Sequence, residues 1–417
     1  MNLKNMTFVF SESYSTVMVY KLSKILKEKG YNTVQVRILE QNKEDNEFYR
    51  NGFNNVIDFN IPHFQISSSS KISKLFGILK IIKRFPSILK ASFQILKLRN
   101  VIYVGRSKVN LPVYLFRKTF FRNVSFIFFP YDLRNHKPLS ENLNVPKFEL
   151  FSEKYCLEKC DGLIHKGAPE ELDSKYMDNR SLGKKPKIQK LRLNIHPYCS
   201  KEFIVPINKN KLSKKDKEWH FCYVGGIKKS TNEFYDSLLD FDWLLKHKVH
   251  IHFYFCSDTK KEADIKKDKE VIKSFYNRNK NYSYLKYIHF HDALNPKELA
   301  QEISKYDIGI IGDPVGMTKD NFDPVLTTAN KISSYFEAGI PFLYSKKYMF
   351  LHRLMKGYSI DLGYNDINKI NDILKKINYK DLEKNVEKAR GDFLFENHLK
   401  RIEDFFKNVL ISTKRKY

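Results

Sequence analysis

The sequence predicts an α/β fold of two Rossmann-like, doubly wound domains facing each other across a cleft, and three observations carry that prediction. Short apolar runs alternate with amphipathic stretches along most of the chain, the pattern of strands and crossover helices in a parallel sheet. At 417 residues the chain exceeds what one hydrophobic core usually serves, whereas two halves of about 180 to 200 residues each fit. The stretch Thr327 to Tyr344, TTANKISSYFEAGIPFLY, packs a helix start, an amphipathic run, a Gly stop and a short apolar strand into one unit.

In that stretch Asn330 is expected to cap a helix, with Ile332, Tyr335 and Phe336 at the spacing of one face. Lys331 and Ser334 then fall in the first turn. Free backbone N–H groups and the helix dipole favour a phosphate there, and Lys331 adds a full charge. Gly339 and Pro341 end the helix, and Ile340 to Tyr344 reads as the next buried strand.

The run Asn330 to Pro341, Asn-Lys-Ile-x-x-Tyr-x-x-Ala-Gly-Ile-Pro, resembles the donor-site helix of GT-B glycosyltransferases, where Asn-Lys-Leu-x-Glu-Tyr-x-x-x-Gly-x-Pro is common. The resemblance implies a helix beside the diphosphate and ribose of a nucleotide sugar, UDP- or GDP-linked. The family's frequent ribose-binding Glu aligns with Ser334, while Glu337 lies one turn later on a different face. Leu326 and Ser334 occupy the two positions of the paired glutamates found in many retaining members, so the anomeric outcome stays open.

Composition sets outer bounds. With 42% apolar and 14% aromatic residues there is ample material for a core. Lys+Arg minus Asp+Glu is 74 − 47 = +27, a surface that attracts polyanions: nucleic acid, anionic lipid or phosphorylated substrates. The five cysteines, Cys156, Cys160, Cys199, Cys222 and Cys256, form no paired CxxC sets and fit reduced, buried thiols. Met1 to Val9 has too short an apolar run for a signal peptide, and no apolar segment is long enough to span a bilayer. A cytoplasmic protein, soluble or at the inner face of a membrane, is expected.

Taken in order, Met6 to Phe10 reads as a strand, Thr16 to about Lys29 as a helix closed by Gly30, and Tyr31 to Ile38 as a second strand. In a doubly wound sheet ligands lie beyond the carboxyl ends of strands, which places Ser11, Glu12 and Ser13 at the cleft. The absence of a GxGxxG run there argues against a dinucleotide dehydrogenase. Glu12 is a candidate base or hydroxyl clamp; a carboxylate that merely favours the helix start is the equal alternative. Asn55 to Phe59 is another strand.

Lys71 to Arg99 contains no carboxylate. Leu75, Ile78, Leu79, Ile82, Phe85, Ile88 and Leu89 recur at helical spacing among Lys74, Lys80, Lys83, Arg84, Lys90 and Lys97, interrupted by Pro86. A basic amphipathic helix suits an anionic membrane surface; a core-facing helix with a solvated cationic face is the alternative. Val101 to Gly105 and Ser125 to Phe129 read as strands. Their loops carry Arg106, Asp132 and Arg134, where Asp132 is the main candidate for the acceptor-side base and Arg134 either pairs with it or holds an acceptor phosphate. A helix over Phe148 to Lys159 and the run Asp161-Gly162-Leu163-Ile164 follow. That run resembles the strand before the final helix of the family's first domain, which implies that His165 and Lys166 reach the cleft.

Gly, Pro and Lys concentrate between Ser181 and Lys217, which marks a linker or exposed crossover. The expected organisation is an acceptor-binding domain over residues 1–190, a linker over 191–217, a nucleotide-sugar domain over 218–395 and a terminal helix over 396–417, which such enzymes often return to the first domain. Trp219 to Val224 reads as the first strand of the second domain, followed by Gly225 and Gly226, where backbone can approach phosphate closely, and by Lys228 and Lys229. The family often has Gly-Arg here, so the cationic role passes to Lys228 or Lys229. His250 to Phe255 and Tyr287 to His291 are strands, and the resemblance assigns the nucleobase to the loop of His291, Ala293 and Leu294. A helix at Asn295 to Lys305, a strand at Asp307 to Gly312, a long polar loop and a helix at Asp366 to Ile377 complete the half.

Together these readings describe a transferase that moves a sugar from a nucleotide donor to a lipid-linked or polysaccharide acceptor in surface glycan synthesis, with no cofactor and no metal. A nucleic-acid-binding protein is the main rival. Its basic residues, however, are spread through βαβ units, and no helix-turn-helix, zinc or RNP signature is present. A non-catalytic scaffold with a degenerate donor site is the third reading, supported by Ser334.

Overall fold

The computed structural model describes residues 2–12, 16–40, 47–61, 86–87, 89–98, 100–105, 107–120, 124–130, 133–135, 145, 147–173, 177, 187–188, 191–225, 241, 243–255, 266, 269–270, 272–274, 282–312 and 326–414. The chain divides into two compact units. Unit 1 comprises Met1–His165, Leu172–Asn194 and His398–Tyr417; unit 2 comprises Lys166–Glu171 and Ile195–Asn397.

Among the described residues of unit 1, β1 (Thr7–Glu12), β2 (Asn32–Glu40), β3 (Asn55–Ile61), β4 (Val101–Gly105), β5 (Val124–Phe128), β6 (Gly162–His165) and β7 (Arg192–Asn194) form one sheet in the order β3-β2-β1-β4-β5-β6-β7. All its pairings are parallel. The order reverses between β1 and β4, so the carboxyl ends of those strands flank the switch point of a doubly wound sheet. Strands β4 and β5 are buried along their whole length, which is why VIYVG and VSFIF read as unbroken apolar runs.

The terminal helix Phe395–Lys414 packs onto this sheet. The Phe406 ring meets Phe8 edge-on at 4.9 Å, Tyr31 donates to Glu403 at 2.6 Å, and the Ser125 and Thr413 hydroxyls meet at 3.2 Å.

Among the described residues of unit 2, β8 (His220–Val224), β9 (His250–Tyr254), β10 (Ile288–His291), β11 (Ile308–Ile311), β12 (Phe342–Ser345) and β13 (Gly363–Tyr364) form a second parallel sheet, β10-β9-β8-β11-β12-β13, reversing between β8 and β11. Helix Lys331–Glu337 seals it by burying Ile332, Tyr335 and Phe336, each worth about 2 kcal/mol of apolar burial. A Cβ at Gly309 in β11 would sit 2.5 Å from the Tyr335 ring, so the glycine makes room for that tyrosine.

Several expectations need correction. Residues 191–217 are not a plain linker: Arg192–Asn194 is the seventh strand of the first sheet, with Leu193 buried. Within the lysine run Lys211 is buried and donates to the carbonyls of Ser304 (2.8 Å) and Tyr306 (3.0 Å). Asn330 does not cap its helix; it is already helical in backbone (φ −63, ψ −25) and makes no side-chain cap bond. Helices Ser107–Phe120, Met349–Gly357 and Tyr379–Asp392 were not anticipated, the first because Pro112 lies inside it. The first fifteen residues of the basic stretch 71–99 lie outside the described residues. Its described part is helical from Leu89 to Lys97, burying Ala91, Ile95 and Leu96 and exposing Lys90, Phe93 and Lys97.

Cys156, Cys160, Cys199 and Cys222 are buried thiols, and Cys256 lies outside the described residues. Among the described residues no helix is long and apolar enough to cross a membrane.

Candidate functional site

Two of the donor-side candidates of unit 2, Gly225 and Lys331, meet at the carboxyl end of β8. Strand β8 ends at Val224, and Gly225 follows with φ +111, a backbone conformation that side chains resist. Its N–H donates to Tyr254 O (2.9 Å), so that donor serves the sheet. What the glycine contributes is that conformation; a Cβ there would meet Lys331 Cε only at an ordinary 3.5 Å. The Lys331 ammonium stands 3.3 Å from the centre of the Tyr223 ring, on the penultimate residue of β8, an arrangement in which the ring face attracts the cation.

Tyr335 fixes the helix that presents Lys331. Its hydroxyl donates to Ile310 O at 2.7 Å and receives the longer Val224 N–H at 3.4 Å, joining β8 and β11 at the switch point. Burial pushes this phenol well above its ordinary pKa, so it stays a neutral structural hydroxyl. Ser334, where the family's Glu is expected, is half-buried on the same helix. Glu337 points the other way: it is buried, its carboxylate accepts Ser200 N–H at 2.8 Å, and it is a brace of the fold.

Ahead of this helix, Lys166 donates to Asn330 Oδ1 at 3.5 Å, Thr328 Oγ1 donates to Lys166 O at 3.3 Å and Ala168 N–H to Leu326 O at 2.6 Å. The segment after β6 thereby adds a second lysine beside Asn330. His291 ends β10, its ring stacked on Tyr254 at 4.5 Å and its Nε2 2.9 Å from His252 Nδ1. Burial, then the nearby Lys305 charge, lowers its pKa. Ala293 is half-buried and Leu294 is 37% exposed, in the loop ahead of helix Pro296–Ile303, whose Asn295 and Glu298 form a capping box. Gly226, Lys228 and Lys229 lie outside the described residues.

In unit 1, Ser11 and Glu12 end β1 and are both buried. Ser11 hydrogen-bonds the phenol of Tyr103, whose pKa is strongly raised by burial. Glu12 accepts from Thr16 Oγ1 (2.7 Å) and from Gln35 Nε2 (3.2 Å), tying β1 to β2 and to the helix start. His165 ends β6, buried, with its Nδ1 3.4 Å from Asn194 Nδ2. Arg134 is exposed. Its backbone N–H and that of Asn135 are held by the Glu153 carboxylate at 2.9 and 2.6 Å. Burial raises the Glu153 pKa against those donors, so this carboxylate pins the loop after β5. Asp132 and Arg106 lie outside the described residues.

Sequence reasoning missed Tyr223, Tyr254 and the anchoring role of Tyr335. The available signal was an aromatic at the end of each strand, in HFCYV before Gly225 and in HIHFY. Tyr335 was read as a core residue, but its hydroxyl binding needs the strand register to be known.

No protein-family model matches the sequence, and no curated protein matches it. Solved structures do. Sucrose-phosphate synthase from Thermosynechococcus elongatus superposes with a TM-score of 0.66 at 12% identity, covering 98% of this chain and 100% of that one. Anabaena HepE in complex with UDP-glucose gives 0.63 at 10% identity over 96% and 99%. The α,α-trehalose 6-phosphate synthase from Burkholderia multivorans gives 0.57 at 11% identity over 99% of each chain. These likenesses show the fold: the chain has the GT-B fold of two parallel-sheet α/β units.

Proposed function

We propose that this chain is a glycosyltransferase that takes a sugar from a nucleotide-sugar donor bound on unit 2. The observation that carries the reading is the Lys331 ammonium beside Gly225, at the switch point of a doubly wound sheet. HepE, which shares the fold, is in complex with UDP-glucose, and that supports a donor of this class here.

In the reaction the acceptor oxygen forms a bond to the anomeric carbon while the bond from that carbon to the diphosphate oxygen breaks. The acceptor proton passes to a base, and the leaving diphosphate takes up the electron pair. Charge therefore grows on the diphosphate, and a cation fixed beside it lowers the barrier. Lys331 fills that role beside Gly225, with Lys166 and Asn330 alongside, and Gly226, Lys228 and Lys229, which follow Gly225 in the sequence, add to the phosphate site. Leaving-group stabilisation by these groups needs no metal and no further cofactor. His291, Ala293 and Leu294 hold the nucleobase, Ser334 takes the ribose side, and Asp132 or Glu12 receives the acceptor proton. Arg106, Arg134 and His165 serve the acceptor.

The acceptor in this reading is lipid-linked or a growing polysaccharide in surface glycan synthesis, on the cytoplasmic side of the membrane. The basic stretch 71–99 is its contact with anionic lipid. A second reading has a specific support: two of the similar structures are named as synthases of sugar phosphates, and a net charge of +27 suits a small phosphorylated acceptor equally well.

A thermal-shift panel of UDP, GDP and their sugar conjugates tests the donor half. Stabilisation by one nucleotide family supports it, and no response to any member overturns it. Product formation with a lipid-linked oligosaccharide against sugar phosphates then separates the two acceptors.

A further inference from the structure

Across β8, β9 and β10, five imidazoles form a layer that runs from the first residues of β8 and β9 to His291 at the end of β10. His220 and His250 are register partners at the first positions of β8 and β9, with rings stacked at 4.4 Å and 4°. Behind them stand His252 and His289, themselves register partners, with ring centroids 4.3 Å apart, and then His291.

The two front rings share one pattern. His220 Nε2 lies 2.8 Å from Asp216 Oδ2, and His250 Nε2 lies 2.7 Å from Glu218 Oε2. On their far sides His220 Nδ1 is 3.0 Å from His252 Nε2, and His250 Nδ1 is 2.8 Å from His289 Nε2. Ligand atoms of Asp216, His220 and His250 lie within 4.8 Å of one another.

From this geometry we infer a divalent transition-metal site, with Zn²⁺ as the best chemical match, formed by His220 Nε2, His250 Nε2 and Asp216, with water completing the coordination. Two imidazoles and a carboxylate are a donor set that zinc accepts. A metal-bound imidazole needs an acceptor for its other ring N–H. His252 and His289 present one to each ligand, which an ordinary surface His–Asp pair lacks. The histidines are largely buried, with side-chain exposures of 7% and 15%, while Asp216 and Glu218 are exposed at 43% and 35%, which leaves the ion a route in. Coordination requires the parallel rings to tilt toward each other and displaces both histidine–carboxylate hydrogen bonds.

The role that follows is structural. His220 opens β8 and Gly225 follows its other end, so at roughly 3.3 Å per residue the metal end and the donor end of the strand are about 16 Å apart. It would staple residues 216–220 to the start of β9 and take no part in the chemistry proposed above.

The test uses the full chain stripped with chelator, then titrated with Zn²⁺ while the melting temperature is followed, and with Co²⁺ while visible d–d absorption is followed. A rise in melting temperature with Zn²⁺, and a tetrahedral Co²⁺ spectrum at a single equivalent, are expected. Both should be lost in His250→Gln, weakened in Asp216→Asn and kept in His247→Gln, which removes an exposed imidazole outside the cluster. Circular dichroism of each metal-free variant checks folding, and Asp216→Asn, at a half-exposed position, carries the test if His250→Gln fails to fold. No response in the parent, or an unchanged response in Asp216→Asn and His250→Gln, overturns the site. Nucleotide binding is read separately, so the transferase reading stands or falls by its own panel.

Discussion

The Lys331 ammonium lies 3.3 Å from the centre of the Tyr223 ring, which fixes a flexible cation at the end of β8, next to Gly225 with its positive φ. A lysine held this way has already lost much of its rotamer freedom, so less entropy remains to be lost when an anion arrives.

Lys331→Ala should therefore weaken UDP or GDP binding by roughly ten- to hundredfold, the worth of one charge-assisted hydrogen bond to phosphate. The side chain is not part of the core, so the melting temperature without nucleotide should stay near the parent's. Titration calorimetry on both proteins decides it; equal affinities would remove Lys331 from the phosphate site.

Gly225→Ala tests backbone rather than charge. At φ +111 an alanine is strained, by on the order of 1–3 kcal/mol, although its Cβ would meet Lys331 Cε only at an ordinary 3.5 Å. The expected result is a lower unfolding free energy together with weaker nucleotide binding. A variant as stable as the parent would mean that the loop relaxes freely.

How much of this was legible beforehand differs from element to element. The buried strands of both sheets announced themselves as apolar runs, and the 330–341 run pointed to the switch point of the second sheet. Strand β7 did not, because three residues amid lysines carry no periodicity and only pairing with β6 makes them a strand. Asn330 looked like a cap because residue type was readable while the preceding backbone path was not. The histidine layer was written as His-x-His in β9 and again in β10. Its meaning depends on parallel register between segments about thirty to forty residues apart, which no local pattern specifies.

Lys211 offers a pH test. Burial lowers its ammonium from 10.5 to about 8, while a neutral amine keeps two N–H donors for the two carbonyls it meets. With the folded value below the unfolded one, the unfolded chain binds more protons between them. This group's contribution to stability therefore rises with pH from about 8 to 10.5, and its cost is fully present below pH 8. The difference in unfolding free energy between the parent and Lys211→Met should shift in the parent's favour by up to about 3 kcal/mol between pH 7 and the top of that window. Guanidinium unfolding at both ends measures it, and a flat difference would mean that the lysine titrates as it does in water.

For the acceptor base, at least one of Glu12→Gln and Asp132→Asn should abolish transfer with donor affinity intact, since the base acts on the acceptor alone. Glu12 already receives hydrogen bonds from Thr16 and Gln35, so its replacement should also lower the melting temperature, whereas that double effect is not expected of Asp132→Asn. Single-turnover assays beside nucleotide titrations separate the two residues. Full turnover in both variants moves the base elsewhere, with His165 next in line.

The last prediction concerns the membrane. A lipid-linked acceptor keeps its pyrophosphate at headgroup level, so the unit that receives it must come to the bilayer surface. Of the basic stretch 71–99, the helical residues 89–97 turn Ala91, Ile95 and Leu96 inward and leave Lys90, Lys97 and the Phe93 ring, 39% exposed and stacked on Phe116 at 5.1 Å, on the outside. That face joins cations to an aromatic, the combination that partitions into an anionic interface. Each Lys or Arg near such a leaflet contributes on the order of 1 kcal/mol, and the attraction fades as salt shortens its range. The parent should co-sediment with anionic liposomes at low salt, much less at high salt and hardly at all with neutral ones. A variant with Lys80, Lys83, Arg84 and Lys90 changed to Glu should lose the anionic preference. Sedimentation that ignores lipid charge, salt and the four substitutions would leave this stretch as a helix serving the core and favour the soluble, phosphorylated acceptor.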